Sequence, residues 1–157
     1  MLTGGALTGL STGTRLVLQA ISLKIGEAEM EKIHNYMAES LLSIGATASV
    51  MEASHTMHDN AIHSLLVEES GEYIGIITNH DISRKVVSES LDPEKVQVAA
   101  VMSFPLIKLE SKESMERAAQ VMRDHSIHHL VVTEHEQMMG TLSINDYYKY
   151  LIKKHPK

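Results

Sequence analysis

The feature that most constrains this chain is an internal duplication, because the sequence matches itself without a gap when it is shifted by 65 residues. Residues 36–87 align with residues 101–152, and 13 of these 52 positions are identical. Ordinary composition gives about three such identities. A repeat of this kind indicates two copies of one folding unit. Since a unit of roughly 55 residues is marginal by itself, we expect the copies to pack on each other.

Both copies show the same order of apolar patterns, which predicts a β-α-β-β-α unit occurring twice. The strands are predicted at 41–44, 62–67 and 73–77, and again at 106–109, 130–132 and 138–142. Ser49 and Ser114 precede the first helical pattern of each copy and suit the N-cap position. The second helices are predicted at 81–88 and 146–153. We therefore expect an α+β fold in which two motifs pack about a pseudo-twofold axis.

The duplication also divides the chain into three parts. Residues 1–33 form an N-terminal extension, residues 34–91 the first motif, and residues 92–157 a linker and the second motif. In the extension, apolar positions from Leu16 to Ala28 follow a helical spacing and predict an amphipathic helix. That helix is interpreted either as a cover for the core or as a contact with a second copy or another protein.

Composition excludes several classes of function. The net charge of −6 argues against binding to nucleic-acid polymers or to an anionic membrane surface. Without cysteine the chain has no disulfide, catalytic thiolate or zinc–thiolate site. No apolar run approaches a membrane span of about 20 residues, and the first residues do not resemble a secretory signal, so we expect a cytoplasmic protein.

A matched motif ends each copy, and it carries the most specific chemistry. Glycine, two strand residues, a hydroxyl residue, two variable residues and aspartate occur in that order at 75–81 and 140–146, so that Thr78 and Asp81 correspond to Ser143 and Asp146. At a strand-to-helix turn a hydroxyl can donate to phosphate, and an ionised aspartate can accept from a ribose diol. The same spacing also fits a helix cap without any ligand. No catalytic motif is found, and two equivalent aspartates indicate two binding sites better than one reaction centre.

The gapless repeat and its two motifs resemble a tandem pair of cystathionine-β-synthase (CBS) domains, the Bateman module, over residues 33–154. The resemblance implies a non-enzymatic regulatory module that binds AMP, ADP, ATP, S-adenosylmethionine or NAD(H) between the motifs, forms homodimers and regulates a partner protein. It implies ribose and phosphate contacts at Thr78, Asp81, Ser143 and Asp146. It also implies an adenine pocket near the start of each motif, with candidates Met37, Ser40, Ala100, Met102 and Pro105.

The ten histidines permit two further interpretations. His63, His80, His128 and His129 lie where relatives often place basic residues near phosphate, and imidazole lacks the bidentate fork of arginine. This difference favours a monophosphate or adenosyl group over a triphosphate. Because Asn145 stands at the position of His80, we expect less positive charge at the second site. The alternatives are a ligand-free scaffold for protein interaction and a metal-responsive histidine module.

Overall fold

The computed structural model describes residues 31–156 and, before them, only residues 12–13, 16–17 and 19. The first copy contains β1 (Ser43–Gly45), α1 (Val50–Asp59), β2 (Ser64–Glu69), β3 (Glu72–Thr78), α2 (Asn79–Ile82) and a π-helical turn (Ser83–Val87). The second copy contains α3 (Val98–Val101), β4 (Lys108–Glu110), α4 (Met115–Asp124), β5 (His129–Glu134), β6 (Gln137–Ser143) and α5 (Ile144–Lys154). A 3₁₀ turn (Ile33–Asn35) precedes the first copy, at the place that α3 takes in the second.

Each copy forms a three-stranded mixed sheet, and the α+β prediction is confirmed. In both sheets the middle strand pairs in parallel with the strand before it and antiparallel with the strand after it. The first strands begin two residues later than predicted, at Ser43 and Lys108. The strands begin directly after Leu42 and Ile107, whose carbonyl oxygens accept hydrogen bonds from Leu66 and Val131 of the middle strands.

Two apolar cores lie under the sheets. The segment that precedes the first strand of each copy, here called its leading segment, completes the core of the other copy. Val98 and Val101 of α3 are buried in the core formed by α1, β2 and β3. Ile33 is fully buried in the core formed by α4, β5 and α5. This exchange buries apolar surface that either copy alone leaves exposed, and it explains why the two motifs form one body.

Gly75 and Gly140 make room for this exchange. A Cβ atom on Gly140 would lie 2.0 Å from the carbonyl oxygen of Ala38, and one on Gly75 would lie 2.7 Å from the sulfur of Met102. The leading segments therefore approach β6 and β3 closely enough to form the backbone bridges Ala38–Thr141 and Ile76–Ser103. The motif glycines serve a close approach of backbones.

The first helix of each copy begins where the sequence predicts, whereas the second helices begin at Asn79 and Ile144, two residues before the predicted 81 and 146, because Thr78 and Ser143 are their N-caps. The side chains of Ser49 and Ser114 accept hydrogen bonds from the backbone of the third helical residue, and Ser49 belongs to a complete capping box with Glu52. The predicted N-terminal helix lies mostly outside the described residues, of which Leu16 and Val17 are helical and exposed. None of the described helices has the length and apolar character needed to cross a membrane.

Candidate functional site

Two clefts lie where the copies meet. Each is lined on one side by the hydroxyl–aspartate pair of one copy and on the other side by the start of the middle strand of the other copy. The Asp81 cleft is lined by Ile76, Thr78, His80, Asp81 and Ser103 together with residues 126–129. The Asp146 cleft is lined by Ala38, Thr141, Ser143, Asn145, Asp146 and Lys149 together with residues 61–64 and His129. The structure therefore brings the matched hydroxyl–aspartate pairs to two related places between the motifs.

Both hydroxyl–aspartate pairs form helix capping boxes. Asp81 Oδ2 accepts from the N–H and the hydroxyl of Thr78 at 2.9 and 2.8 Å, and the Thr78 oxygen accepts from the Asp81 N–H. Ser143 and Asp146 repeat this arrangement at 2.9 and 2.7 Å. In each box only the second carboxylate oxygen, Oδ1, points away from the cap, so that oxygen decides what the site can bind.

The two Oδ1 atoms have different surroundings. Asp81 Oδ1 accepts from Lys85 Nζ at 2.7 Å and from the Ser103 hydroxyl at 2.8 Å. Asp146 Oδ1 accepts from Lys149 Nζ at 2.9 Å, and the side chain of Lys149 is 74% exposed. The Asp81 side chain is almost wholly buried, with 6% exposed, whereas that of Asp146 is 14% exposed.

Both aspartates are held in the ionised form. Burial acts to raise the pKa of Asp81, but hydrogen bonds from Lys85, Thr78 and Ser103 outweigh it and hold the pKa below its ordinary value. Burial acts in the same sense on Asp146, where the Ser143 and Lys149 hydrogen bonds prevail and keep the pKa low. Each carboxylate is therefore an acceptor only at neutral pH.

The clefts differ greatly in size. The Asp146 cleft encloses about 470 Å³ and the Asp81 cleft about 70 Å³. Small-molecule sites in proteins usually span roughly 300–1,000 Å³. Of these two clefts only the Asp146 cleft falls in that range, although both contain a hydroxyl–aspartate pair.

The four candidate histidines line these two clefts. The rings of His80 and His128 meet edge to face at the Asp81 cleft, with centroids 5.5 Å apart. His63 borders the Asp146 cleft, where its Nδ1 lies 3.0 Å from the side-chain amide nitrogen of Asn79. His129 borders both clefts.

His129 is the most perturbed of these groups. The pKa of His129 is lowered to about 4, mainly by burial and then by the nearby His128 and His63. Asp146 and Asp81 act in the opposite sense but more weakly. Its Nδ1 is buried without a hydrogen-bond partner among the described residues. His129 is thus a neutral imidazole at pH 7, and it offers a hydrogen bond but no positive charge to a ligand.

The five adenine-pocket candidates do not line the two clefts, although Ser40 borders an adjoining cavity of about 50 Å³. Met37 and Met102 pack against the second and the first core, while Ala100 and Pro105 are exposed.

The neighbouring residues Ala38 and Ser103 occupy the clefts instead, because their backbones bridge to β6 and β3. Both lie in the segments expected to line the adenine pocket, residues 35–40 and 100–105, but they are not among the five named candidates, and neither Lys85 nor Lys149 is a sequence candidate. The 65-residue shift places Ala38 opposite Ser103 and Lys85 opposite Tyr150. These differences between otherwise matched copies are the sequence signal that points to these residues.

Two further features bear on the alternatives. A third concavity, of about 730 Å³, is a groove between α1 and α2 with Met57, Ile82 and Val87 in its lining. It lies on the helical surface of the first copy and does not include Thr78 or Asp81. Among residues 31–156 no cluster of three or more histidines and acidic residues has a geometry that could hold a metal ion.

Comparison with known proteins finds relatives in archaea and bacteria. The chain is 32% identical over 102 residues to the uncharacterized protein MK0525 of Methanopyrus kandleri, a match that covers 64% of this chain and 52% of the relative. The chain therefore spans about half the length of that relative. Another match, the CBS domain-containing protein YhcV of Bacillus subtilis, is 24% identical over 74% of this chain and 83% of the relative.

Solved structures share the fold. The CBS domain pair of protein MJ0100, in complex with 5′-methylthioadenosine and S-adenosyl-L-methionine, has a TM-score of 0.70 and 20% identity, over 80% of this chain and 99% of that chain. A likeness at this identity concerns the fold alone. The family model for the CBS domain matches residues 33–88 and 98–153, which together make up more than half of the chain. The chain therefore belongs to the CBS domain family and contains two CBS domains, the pair that serves as a regulatory module.

Proposed function

We propose that this chain is a non-enzymatic sensor that binds an adenosyl ligand in the Asp146 cleft. The observation that carries the proposal is the geometry of that cleft, in which a capped hydroxyl–aspartate pair faces residues 61–64 of the other motif across about 470 Å³. The complex of the MJ0100 domain pair with two adenosyl compounds supports the ligand class by analogy of fold.

The groups around the cleft favour a sugar with a small anionic or polar substituent. Asp146 is an ionised acceptor that suits a ribose diol, and Ser143 stands at the N-terminus of the 11-residue α5, whose dipole favours an anion. Lys149 is exposed and can turn from Asp146 towards a phosphate. Lys149 and His63 are the basic side chains in the lining beside the neutral His129, so we favour AMP, S-adenosylmethionine or a similar adenosyl ligand over ATP.

A second candidate is a ligand-free scaffold for protein interaction. Both hydroxyl–aspartate pairs close capping boxes, and this observation accounts for the motif without any ligand. The two candidates differ in what the charge on Asp146 does. In the scaffold it only caps α5, whereas in the sensor its free acceptor position binds the ligand.

The substitution Asp146→Asn separates the candidates, because asparagine keeps an acceptor for the cap and removes the carboxylate charge. The sensor predicts that wild-type protein binds AMP or S-adenosylmethionine in isothermal titration calorimetry. It also predicts that Asp146→Asn weakens binding by about tenfold or more, as for a charged hydrogen bond. Asp124→Asn, at an exposed carboxylate outside both clefts, is the matched control. Absence of heat and of thermal stabilisation for wild type with both compounds, NADH and ATP would favour the scaffold.

We also propose that the module acts as a homodimer in the cytoplasm and regulates a partner protein. Val87 and Ile152 occupy equivalent positions in the two copies and are 67% and 73% exposed. Val87 also borders the groove between α1 and α2. Exposed apolar side chains at repeated positions favour a symmetric contact with a second copy, since such a contact buries both at once.

A further inference from the structure

The two clefts carry the same sequence motif but differ in how many acceptor positions their aspartates have left. A carboxylate offers about four lone-pair positions for hydrogen bonds. Asp81 fills four, two with the Thr78 backbone and hydroxyl, one with Lys85 and one with Ser103. Asp146 fills three, two with Ser143 and one with Lys149. A ribose hydroxyl therefore finds an open position at Asp146 and none at Asp81.

Lys85 is also fixed by a second acceptor. Its ammonium lies 2.8 Å from the carbonyl oxygen of Val101, at the end of α3, and 2.7 Å from Asp81. It thereby ties the start of α2 in the first copy to the leading segment of the second. Lys149, by contrast, contacts only Asp146 among the described acceptors and is largely in solvent. The Lys85 side chain is 43% exposed and is held by Asp81 and Val101, whereas that of Lys149 is 74% exposed and is held by Asp146.

Two differences between the copies in sequence account for the different surroundings of the two aspartates. At the 65-residue shift, Lys85 corresponds to Tyr150 and Ser103 to Ala38. Tyr150 is buried in the second core and Ala38 has no side-chain donor, so neither can reach Asp146 as Lys85 and Ser103 reach Asp81. Both donors that fill the last positions of Asp81 are therefore absent from the second copy.

We propose that the chain binds one ligand, at the Asp146 cleft, because Lys85 and Ser103 occupy the acceptor positions on Asp81 that a ligand would need. The side chains of Asp81, Lys85 and Ser103, here called the Asp81 network, take the place that ribose takes in the other cleft. This inference rests on the proposed sensor function and adds to it which of the two sites is used. It also reverses the expectation from Asn145 that the second site is the weaker one.

The test removes the two internal donors and counts ligands. Wild-type protein titrated with AMP and with S-adenosylmethionine is expected to bind one molecule per chain, and Asp146→Asn to weaken that binding by about tenfold or more. The double variant Lys85→Met/Ser103→Ala, which removes both donors and keeps the aliphatic stem of the lysine, is expected to bind two. Adding Asp146→Asn to the double variant is expected to leave one, in the opened Asp81 cleft. Circular dichroism verifies that each variant is folded.

A second measurement uses the ligand-free wild-type chain, so its result does not depend on whether the variants fold. Reductive methylation of the wild-type chain, followed by mass spectrometry, is expected to modify Lys85 several-fold more slowly than Lys149, because Lys85 donates to Asp81 and Val101. Equal rates would overturn the inference. Two molecules bound per wild-type chain would also overturn it and leave the sensor function intact. No binding of either compound to the wild type or the double variant would overturn the sensor function itself.

Discussion

Replacement of Gly140 by alanine tests the exchange that joins the two motifs. The new Cβ would lie 2.0 Å from the Ala38 carbonyl oxygen and 3.2 Å from the Glu39 Cα, so backbone must move by more than 1 Å to restore contact distance. That movement breaks the paired hydrogen bonds between Ala38 and Thr141, both 2.9 Å. Two such bonds at about 1 kcal/mol each, plus overpacking at about 1–3 kcal/mol, predict a loss of about 3–5 kcal/mol in the free energy of unfolding.

Gly75→Ala is the matched control in the other copy. Its Cβ would meet the flexible Met102 side chain at 2.7 Å and the Ser103 carbonyl oxygen at 3.0 Å, so rotation of the methionine relieves most of the contact. We expect a loss of about 1 kcal/mol, as for mild overpacking. Urea unfolding followed by circular dichroism gives both values, and the midpoint of Gly140→Ala should fall by roughly 1–2 M. Equal midpoints for the two variants would refute the close approach at Ala38.

Two further predictions concern pH and assembly. Because the pKa of His129 is about 4 in the folded chain against 6.5 ordinarily, only the unfolded state gains its proton between these values, so the native state loses about 2 kcal/mol from pH 7.5 to pH 5. His129→Ser should remove that part of the pH dependence of urea unfolding, and an unchanged dependence would contradict the burial of this imidazole beside Asp81 and Asp146. The double variant Val87→Asp/Ile152→Asp should be monomeric by light scattering at a concentration where wild type is dimeric, with an unchanged circular dichroism spectrum. Dimers of that variant would place the contact elsewhere.

Much of the fold could be predicted from the sequence, because periodicity reports burial directly. The apolar positions of α1 and α4 lie on one helix face, and those residues are buried as expected, Val50 and Met115 among them. The exchange of leading segments could not be predicted. Ile33 and Val98 are recognisable as apolar, but nothing in their spacing says that each packs on the other copy. Local patterns specify which side chains are buried and leave open which core receives them.

The candidate site shows the same division. The hydroxyl–aspartate pairs are set by local geometry, since each pair caps its own helix three residues on, and the sequence predicted them with their alternative role. The adenine-pocket candidates depend on how a neighbouring segment crosses β3 or β6, and they stay a prediction, since the two clefts are lined by the adjacent residues Ala38 and Ser103. In an extended segment one residue of shift changes which side of the chain faces the cleft.

Duplication makes the differences between the copies more informative than their identities. In both copies a residue one turn beyond the motif aspartate contacts the leading segment of the other copy. Tyr150 meets the ring of Tyr36 at 5.4 Å within the second core, whereas Lys85 meets the carbonyl of Val101. The contact of Tyr150 is between two aromatic rings, whereas that of Lys85 is a charge-assisted hydrogen bond to a backbone carbonyl. Lys85 also donates to Asp81 and fills one of its acceptor positions, whereas Tyr150 donates to Glu116 and leaves a position on Asp146 open to a hydroxyl from outside the chain.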